Sequence, residues 1–353
     1  AALVSAEIFA GRLLAAGSGN RPGGFLYHFD GRQRAAHGAV ETFPPGIFWL
    51  AAERAADSVG ARCGKSGDGN AATTSTNMNE IHVFNQYAMA TQFQVRIADQ
   101  DRTYAAQTAQ AAFALAAELE SLLSRFRANS DIAQIAQLAP DEKMRLSEPV
   151  FACLQLVQKM ERATGGAGSV TAAALQTQAA LPQWSLLPAE FSIRCESGTL
   201  AFDLGAIGKG FALDRMAEVL REWECPAFLL VAGGSSILAG AAPAGTIGWS
   251  CGLGDDQALQ RYWLTHSSLS GSGLNVKGAH ILDPRTGQPA KRQSRAWALA
   301  RTAAESDALS TAAMVLEETE INAILAGNEP WLVFLNERES WCCLGHHPAP
   351  PRA

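Results

Sequence analysis

The sequence predicts an α+β fold with mixed or antiparallel sheets and packed helices, and three observations carry that prediction. Leu115, Leu119, Leu122 and Phe126 repeat at helical spacing, and Val150, Leu154, Val157 and Met160 do so again. Short apolar segments at 228–231, 236–238, 247–253, 262–265, 297–300 and 331–335 read as strands, interrupted by a helix opening at Ser306. Helices and strands therefore come in mixed blocks, not in the strict alternation that builds a parallel doubly wound sheet.

A chain of 353 residues exceeds the usual single domain, so two domains, or one large domain with an extension, are expected. Residues 1–62 are rich in Ala and Gly and hold two amphipathic segments, 7–16 and 47–59, around a strand-like run at 25–31. Residues 60–66, Gly-Ala-Arg-Cys-Gly-Lys-Ser, fall one residue short of a P-loop, with Val59 where the first glycine belongs and no helical pattern behind. That match is one of chance. Residues 64–77 are polar and small and read as a linker. The main domain begins near Ile81, where 81–84 and 93–97 read as strands around Met89-Ala90-Thr91. The organisation expected is an unassigned extension and linker over 1–80, one domain over 81–345 and a proline-rich tail over 346–353.

Composition narrows the function classes. Hydrophobic residues make up 48% of the chain, ample for a core, and the net charge of −6 gives no electrostatic reason to expect nucleic acid or an anionic membrane surface. No apolar run approaches the roughly 18 residues of a membrane span. The seven cysteines, at 63, 153, 195, 225, 251, 342 and 343, contain no C-x-x-C pair, so neither a zinc site nor a disulfide framework is indicated. The first residue is not Met and no basic leader region precedes an apolar run, which leaves the compartment open.

The stretch most able to carry chemistry is Asp203-Leu204-Gly205-Ala206-Ile207-Gly208-Lys209-Gly210-Phe211-Ala212-Leu213-Asp214. Residues 199–203 alternate like a strand end, the glycines open a turn, and Leu213, Met216, Ala217 and Leu220 then follow helical spacing. A strand, a glycine turn with one lysine and a helix aim backbone N–H groups and a cation at phosphate. The spacing is neither that of a Walker loop nor that of a Rossmann fingerprint. Taken alone, the stretch reads as a tight turn with a solvated lysine.

Two further stretches change that balance. In residues 305–314, Ser306 suits a helix N-cap with Asp307 in the first turn, and Asp307 and Thr311 share one helix face at i and i+4. A carboxylate and a hydroxyl are hard oxygen donors suited to Mg2+, although an isolated aspartate there would equally serve the helix dipole. In residues 280–289, His280 and Ile281 precede the turn Asp283-Pro284-Arg285-Thr286-Gly287. Together the three stretches resemble the signatures of the ApbE-type FAD:protein FMN transferases, over about residues 82–340. Those enzymes cleave FAD between its phosphates and join FMN to a threonine or serine of another protein.

The resemblance implies roles residue by residue. Asp307, Thr311 and the carbonyl of Ala206 would bind Mg2+, Lys209 would share in neutralising the diphosphate of FAD, and His280 would take the proton of the incoming hydroxyl as AMP leaves. Met89, Phe126, Ala167, Gly168, Ser169, Asp203, Gly233, Gly234 and Ile281 fall at positions that face the flavin nucleotide, and Asp214 either orients the turn or sits on a helix surface. The partner implied is an acceptor protein of a flavin-dependent redox system, met in the periplasm or another exported compartment by the resemblance, or in the cytoplasm if no signal directs export. This chain carries no acceptor segment of the family's targets, so self-modification is not expected.

The chain also departs from the family pattern. Gly168-Ser169-Val170 stands where Phe-Asp-Pro is usual, and Ala136 where many members have asparagine. Each lost hydrogen-bonding partner is worth roughly 1–3 kcal/mol. Two alternatives follow: a hydrolase splitting FAD to FMN and AMP, or a non-catalytic flavin-binding member of the same fold.

Overall fold

The computed structural model describes residues 40–41, 47–50, 80–172, 175, 180–253, 260–273, 281–290, 293–327, 331–337 and 340–345. Two short strands come first, Val40–Glu41 (β1) and Ile47–Leu50 (β2). A hairpin of Ile81–Ala88 (β3) and Thr91–Ala98 (β4) leads into the helix Arg102–Leu123 (α1). That helix starts where it does because Asp101 accepts the N–H groups of Thr103 and Tyr104 at 2.8 and 3.2 Å. Its buried face is built from alanines with Phe113 and Leu119, which allows close packing.

Next come Asp131–Ile135 (α2), Lys143–Arg145 (β5), Glu148–Ala163 (α3), Gln183–Leu187 (β6), Ser192–Ser197 (β7) and Gly208–Glu222 (α4). Five strands follow: Phe228–Ala232 (β8), Ser236–Ala239 (β9), Trp249–Leu253 (β10), Gln260–Leu264 (β11) and Ser267–Gly273 (β12). The chain closes with Arg295–Ala300 (β13), Ala303–Ala313 (α5), Glu318–Ala326 (α6), Leu332–Glu337 (β14) and Ser340–Leu344 (β15).

The strands form an eight-stranded sheet in the order β15-β14-β13-β12-β9-β8-β4-β3, a four-stranded sheet β1-β2-β10-β11 and a three-stranded sheet β5-β7-β6. Every pairing among the described residues is antiparallel. The large sheet is covered on both faces. Phe228, Leu230 and Ala232 of β8 join the core beneath the helices, while Leu229 and Val231 join a second core with Trp249, Cys251 and Leu253 of β10. That double burial explains the unbroken apolar run of β8.

Several sequence expectations are corrected. The helix bearing Leu115, Leu119 and Leu122 ends at Leu123 with Ser124 as C-cap, so Phe126 lies beyond it. Residues 199–203 join no ladder, although Leu200 and Phe202 are buried. Gly208 and Gly210 open α4 itself instead of preceding it. Helix α5 begins at Ala303, where Thr302 accepts the N–H of Glu305, so Ser306 is not its N-cap and Asp307 sits in the second turn. The strands β6, β7 and β12 were not foreseen. Within 47–59, residues 47–50 are a strand that pairs with β10. The segments expected at 7–16, 25–31 and 60–77, and the tail 346–353, lie outside the described residues. No described helix is long and apolar enough to cross a membrane.

Candidate active site

Two helices converge to make the site. Asp203 accepts the N–H of Gly205 at 2.9 Å and so closes the 3-10 turn Leu204–Ala206 that feeds α4. At the start of α4, Gly210 lets α5 approach: a Cβ there would overlap the Ala303 carbonyl. One turn further along α4, Asp214 accepts the N–H groups of Ala303 and Ala304 at 2.7 and 2.9 Å. It therefore caps α5 from another helix, and neither a surface position nor a role in the glycine turn describes it. Burial pushes its carboxyl up to about 7, against the pull of those two N–H groups.

The clamp brings Asp307 to the glycine turn. Its buried carboxylate accepts from the Gly210 N–H at 3.2 Å, from the Ser236 hydroxyl at 3.2 Å and from the Lys209 ammonium at 3.3 and 3.5 Å. Lys209 also donates to the Gly205 carbonyl at 3.1 Å, next to Ala206. Thr311, four residues along α5 as the sequence spacing required, donates to the Asp307 main-chain carbonyl at 3.2 Å and lies 2.9 Å from the Ser272 hydroxyl. Sequence reading missed the serines: Ser268, Ser270 and Ser272 alternate along β12 and meet Ser306, Ser310 and Thr311 of α5. The signal was the i, i+2 spacing of polar residues opposite an i, i+4 pair.

The rim gathers most of the other predicted residues. Gly233 and Gly234, with φ of 60° and 66°, turn β8 into β9 and so deliver Ser236 to Asp307. The Gly233 N–H donates to the Gln92 carbonyl, and a side chain at Gly233 would strike Thr91. Met89 and Ala90, with φ of 49° and 57°, form the adjoining hairpin turn in the left-handed region, which disfavours both residue types. Arg125 lies 3.2 Å from Asp203 and 4.7 Å above the Phe126 ring, which is 83% exposed. The Asp203 N–H donates to the Val170 carbonyl at 2.8 Å, tying the 164–171 segment to the glycine turn. Gly168 backs onto Ala308 and Ala312 of α5, and the Ser169 hydroxyl lies 3.0 Å from that of Thr171. Ile281 is buried in the helical core and opens a loop that Arg285 ties to Asp283 and Glu320. His280 and its proposed role lie outside the described residues.

Among the described residues no three His, Cys, Asp or Glu side chains gather as a metal cluster. A cation at this corner would instead rest on one carboxylate, one hydroxyl and backbone carbonyl. That all-oxygen donor set fits Mg2+, which completes its shell with water and substrate phosphate, and does not fit zinc.

A profile of the ApbE family matches residues 89–334. The chain belongs to the ApbE family. It is 24% identical over 246 residues to a FAD:protein FMN transferase of Klebsiella pneumoniae (strain 342), covering 60% of this chain and 74% of that protein. Its fold is similar to that of the flavin transferase ApbE from Vibrio cholerae, with a TM-score of 0.65, 18% identity and coverage of 75% of this chain and 96% of that one. The Pseudomonas stutzeri flavinyl transferase ApbE, apo form, is also similar, with a TM-score of 0.65, 20% identity and coverage of 75% and 94%. The α+β architecture expected from the sequence is thus the ApbE architecture. In this ApbE-family chain, the family match spans the turn at Met89, the glycine turn and α5.

Proposed function

We propose that this chain transfers FMN from FAD to a threonine or serine hydroxyl of an acceptor protein, with Mg2+, and releases AMP. The observation that carries the reading is Asp307, a buried carboxylate held against the opening turn of α4 by the Gly210 N–H and the Lys209 ammonium. Phosphoryl transfer needs positioning and positive charge more than covalent help from protein. The N-terminus of α4 and Lys209 supply that charge to the diphosphate, and Asp307, Thr311 and the Ala206 carbonyl would hold the cation. Bound there, Mg2+ would neutralise the phosphate oxygens as charge develops. The acceptor hydroxyl attacks the phosphorus of the FMN phosphoryl group. A new P–O ester forms, the bond to the bridging oxygen breaks, and AMP leaves with that oxygen. By family resemblance His280 receives the hydroxyl proton. Arg125 and Phe126 lie beside Asp203, where they can face the flavin nucleotide.

One observation favours a second reading. The 168–170 segment offers no aromatic ring or carboxylate toward the site, so the grip on the nucleotide is weaker than in the family pattern. On that reading the chain binds flavin nucleotide and passes FMN to water or to nothing. Incubating the protein with FAD and Mg2+, with and without an acceptor protein, separates these outcomes. AMP with covalent FMN supports transfer, AMP with free FMN supports hydrolysis, and no AMP in either case contradicts catalysis.

A further inference from the structure

Helix α5 and strand β12 meet through hydroxyl groups where cores are ordinarily apolar. Ser268, Ser270 and Ser272 alternate along β12 and so share one face of the sheet. Ser268 donates to the Ile237 carbonyl at 2.6 Å and lies 2.7 Å from Ser306, which lies 2.8 Å from Ser270. These three hydroxyls are fully buried and close on one another without reaching the site.

Ser272 differs. It is half-buried, and the neighbouring Gly271 N–H donates to the Ser235 carbonyl, just past the Gly233–Gly234 turn, at 2.7 Å. Its hydroxyl lies 3.0 Å from that of Ser310 and 2.9 Å from that of Thr311. Both α5 hydroxyls give their protons to one acceptor, the Asp307 main-chain carbonyl, at 2.9 and 3.2 Å. Ser272 has a single proton, which goes to one of two oxygens at a time. A Thr311 oxygen that donates to Asp307 and accepts from Ser272 keeps one lone pair, and its direction is then fixed.

We propose that Ser272 is a positioning residue for the cation site, setting the rotamer and the free lone pair of Thr311 and thereby the affinity for a divalent cation. The proposal rests on the reading of Asp307 and Thr311 as cation ligands. Groups that orient metal ligands in this way change metal affinity by about 10- to 100-fold when removed.

The test uses the full chain and Mn2+ alone, with free ion measured by electron paramagnetic resonance and stability by thermal melting. Ser272→Ala is expected to weaken Mn2+ binding about tenfold or more with little change in melting temperature, and Ser272→Thr, which keeps the hydroxyl, to restore it. Ser268→Ala is expected to do the reverse, lowering the melting temperature while Mn2+ affinity stays within about twofold, because its hydroxyl is buried away from the site. Mn2+ binding in Ser272→Ala equal to that of the parent chain, or an equal loss in Ser268→Ala, would overturn the proposal. Asp307→Ala separates the two levels. If it still binds Mn2+ normally, the cation site itself is misplaced and the proposal falls with it. If it abolishes binding while Ser272→Ala does not weaken it, only the role of Ser272 falls.

Discussion

The floor of the site and its rim are built differently. On the floor, α4 and α5 are locked by the Gly210 approach, the Asp214 cap and the Asp307 carboxylate, all between charged or backbone groups. On the rim, the 164–171 segment is held by its own backbone and hydroxyls and at Val170 by the Glu161 carboxylate and the Asp203 N–H, and the Met89–Ala90 turn holds two residues in an unfavourable conformation. The difference teaches where this chain has held to its family pattern. Groups that would hold charge are tightly placed, while the 168–170 segment proposed to face the flavin nucleotide carries only small side chains and Phe126 stands exposed.

The sharpest way to break this contrast is to part the two helices. Gly210→Ala places a methyl group inside the Ala303 carbonyl, and overpacking a rigid contact costs about 3 kcal/mol. Urea unfolding is expected to report that loss, and a neutral result would show that the floor is not rigid. A smaller effect belongs to Asp214. Its folded carboxyl titrates near 7, against a usual value of 3.8, so the folded state binds its proton more tightly between those limits. That contribution to stability is complete at the acidic end, falls as pH rises towards 7 and is absent above it. The parent chain should therefore lose about 2 kcal/mol more between pH 5 and pH 8 than Asp214→Asn, measured by urea unfolding at each pH. Parallel pH profiles would contradict the assignment.

The rim is tested by additions. Ser169→Asp restores a carboxylate to the 168–170 segment and is expected to tighten FAD binding about tenfold in a fluorescence titration. Unchanged affinity would mean that the segment does not face the nucleotide. Smallest of all, Ala90→Gly relieves a left-handed φ of 57° and should stabilise the chain by about 1 kcal/mol.

Much of this was legible in the residues. Val150, Leu154, Val157 and Met160 are buried on α3 as their spacing required, and Asp307 and Thr311 do share a face. What escaped notice depended on distant partners. Thr302 caps α5 locally through the Glu305 N–H, but the N–H groups of Ala303 and Ala304 are capped by the Asp214 side chain 89 residues before Ala303, which no local pattern shows. The serines of β12 showed no apolar alternation, since α5 buries them with hydroxyls of its own. Phe126 continued a helical stripe on paper, but the chain leaves the helix at Ser124, whose hydroxyl accepts the Phe126 N–H.

Crystals of the full chain soaked with FAD and Mn2+ put the central claim to the most direct test, by anomalous diffraction at the manganese edge. The expected result is one peak among the Asp307 carboxylate, the Thr311 hydroxyl and the Ala206 carbonyl, bridged to the FAD phosphates. Bound FAD with manganese elsewhere, or with its diphosphate away from the opening turn of α4, would contradict the account.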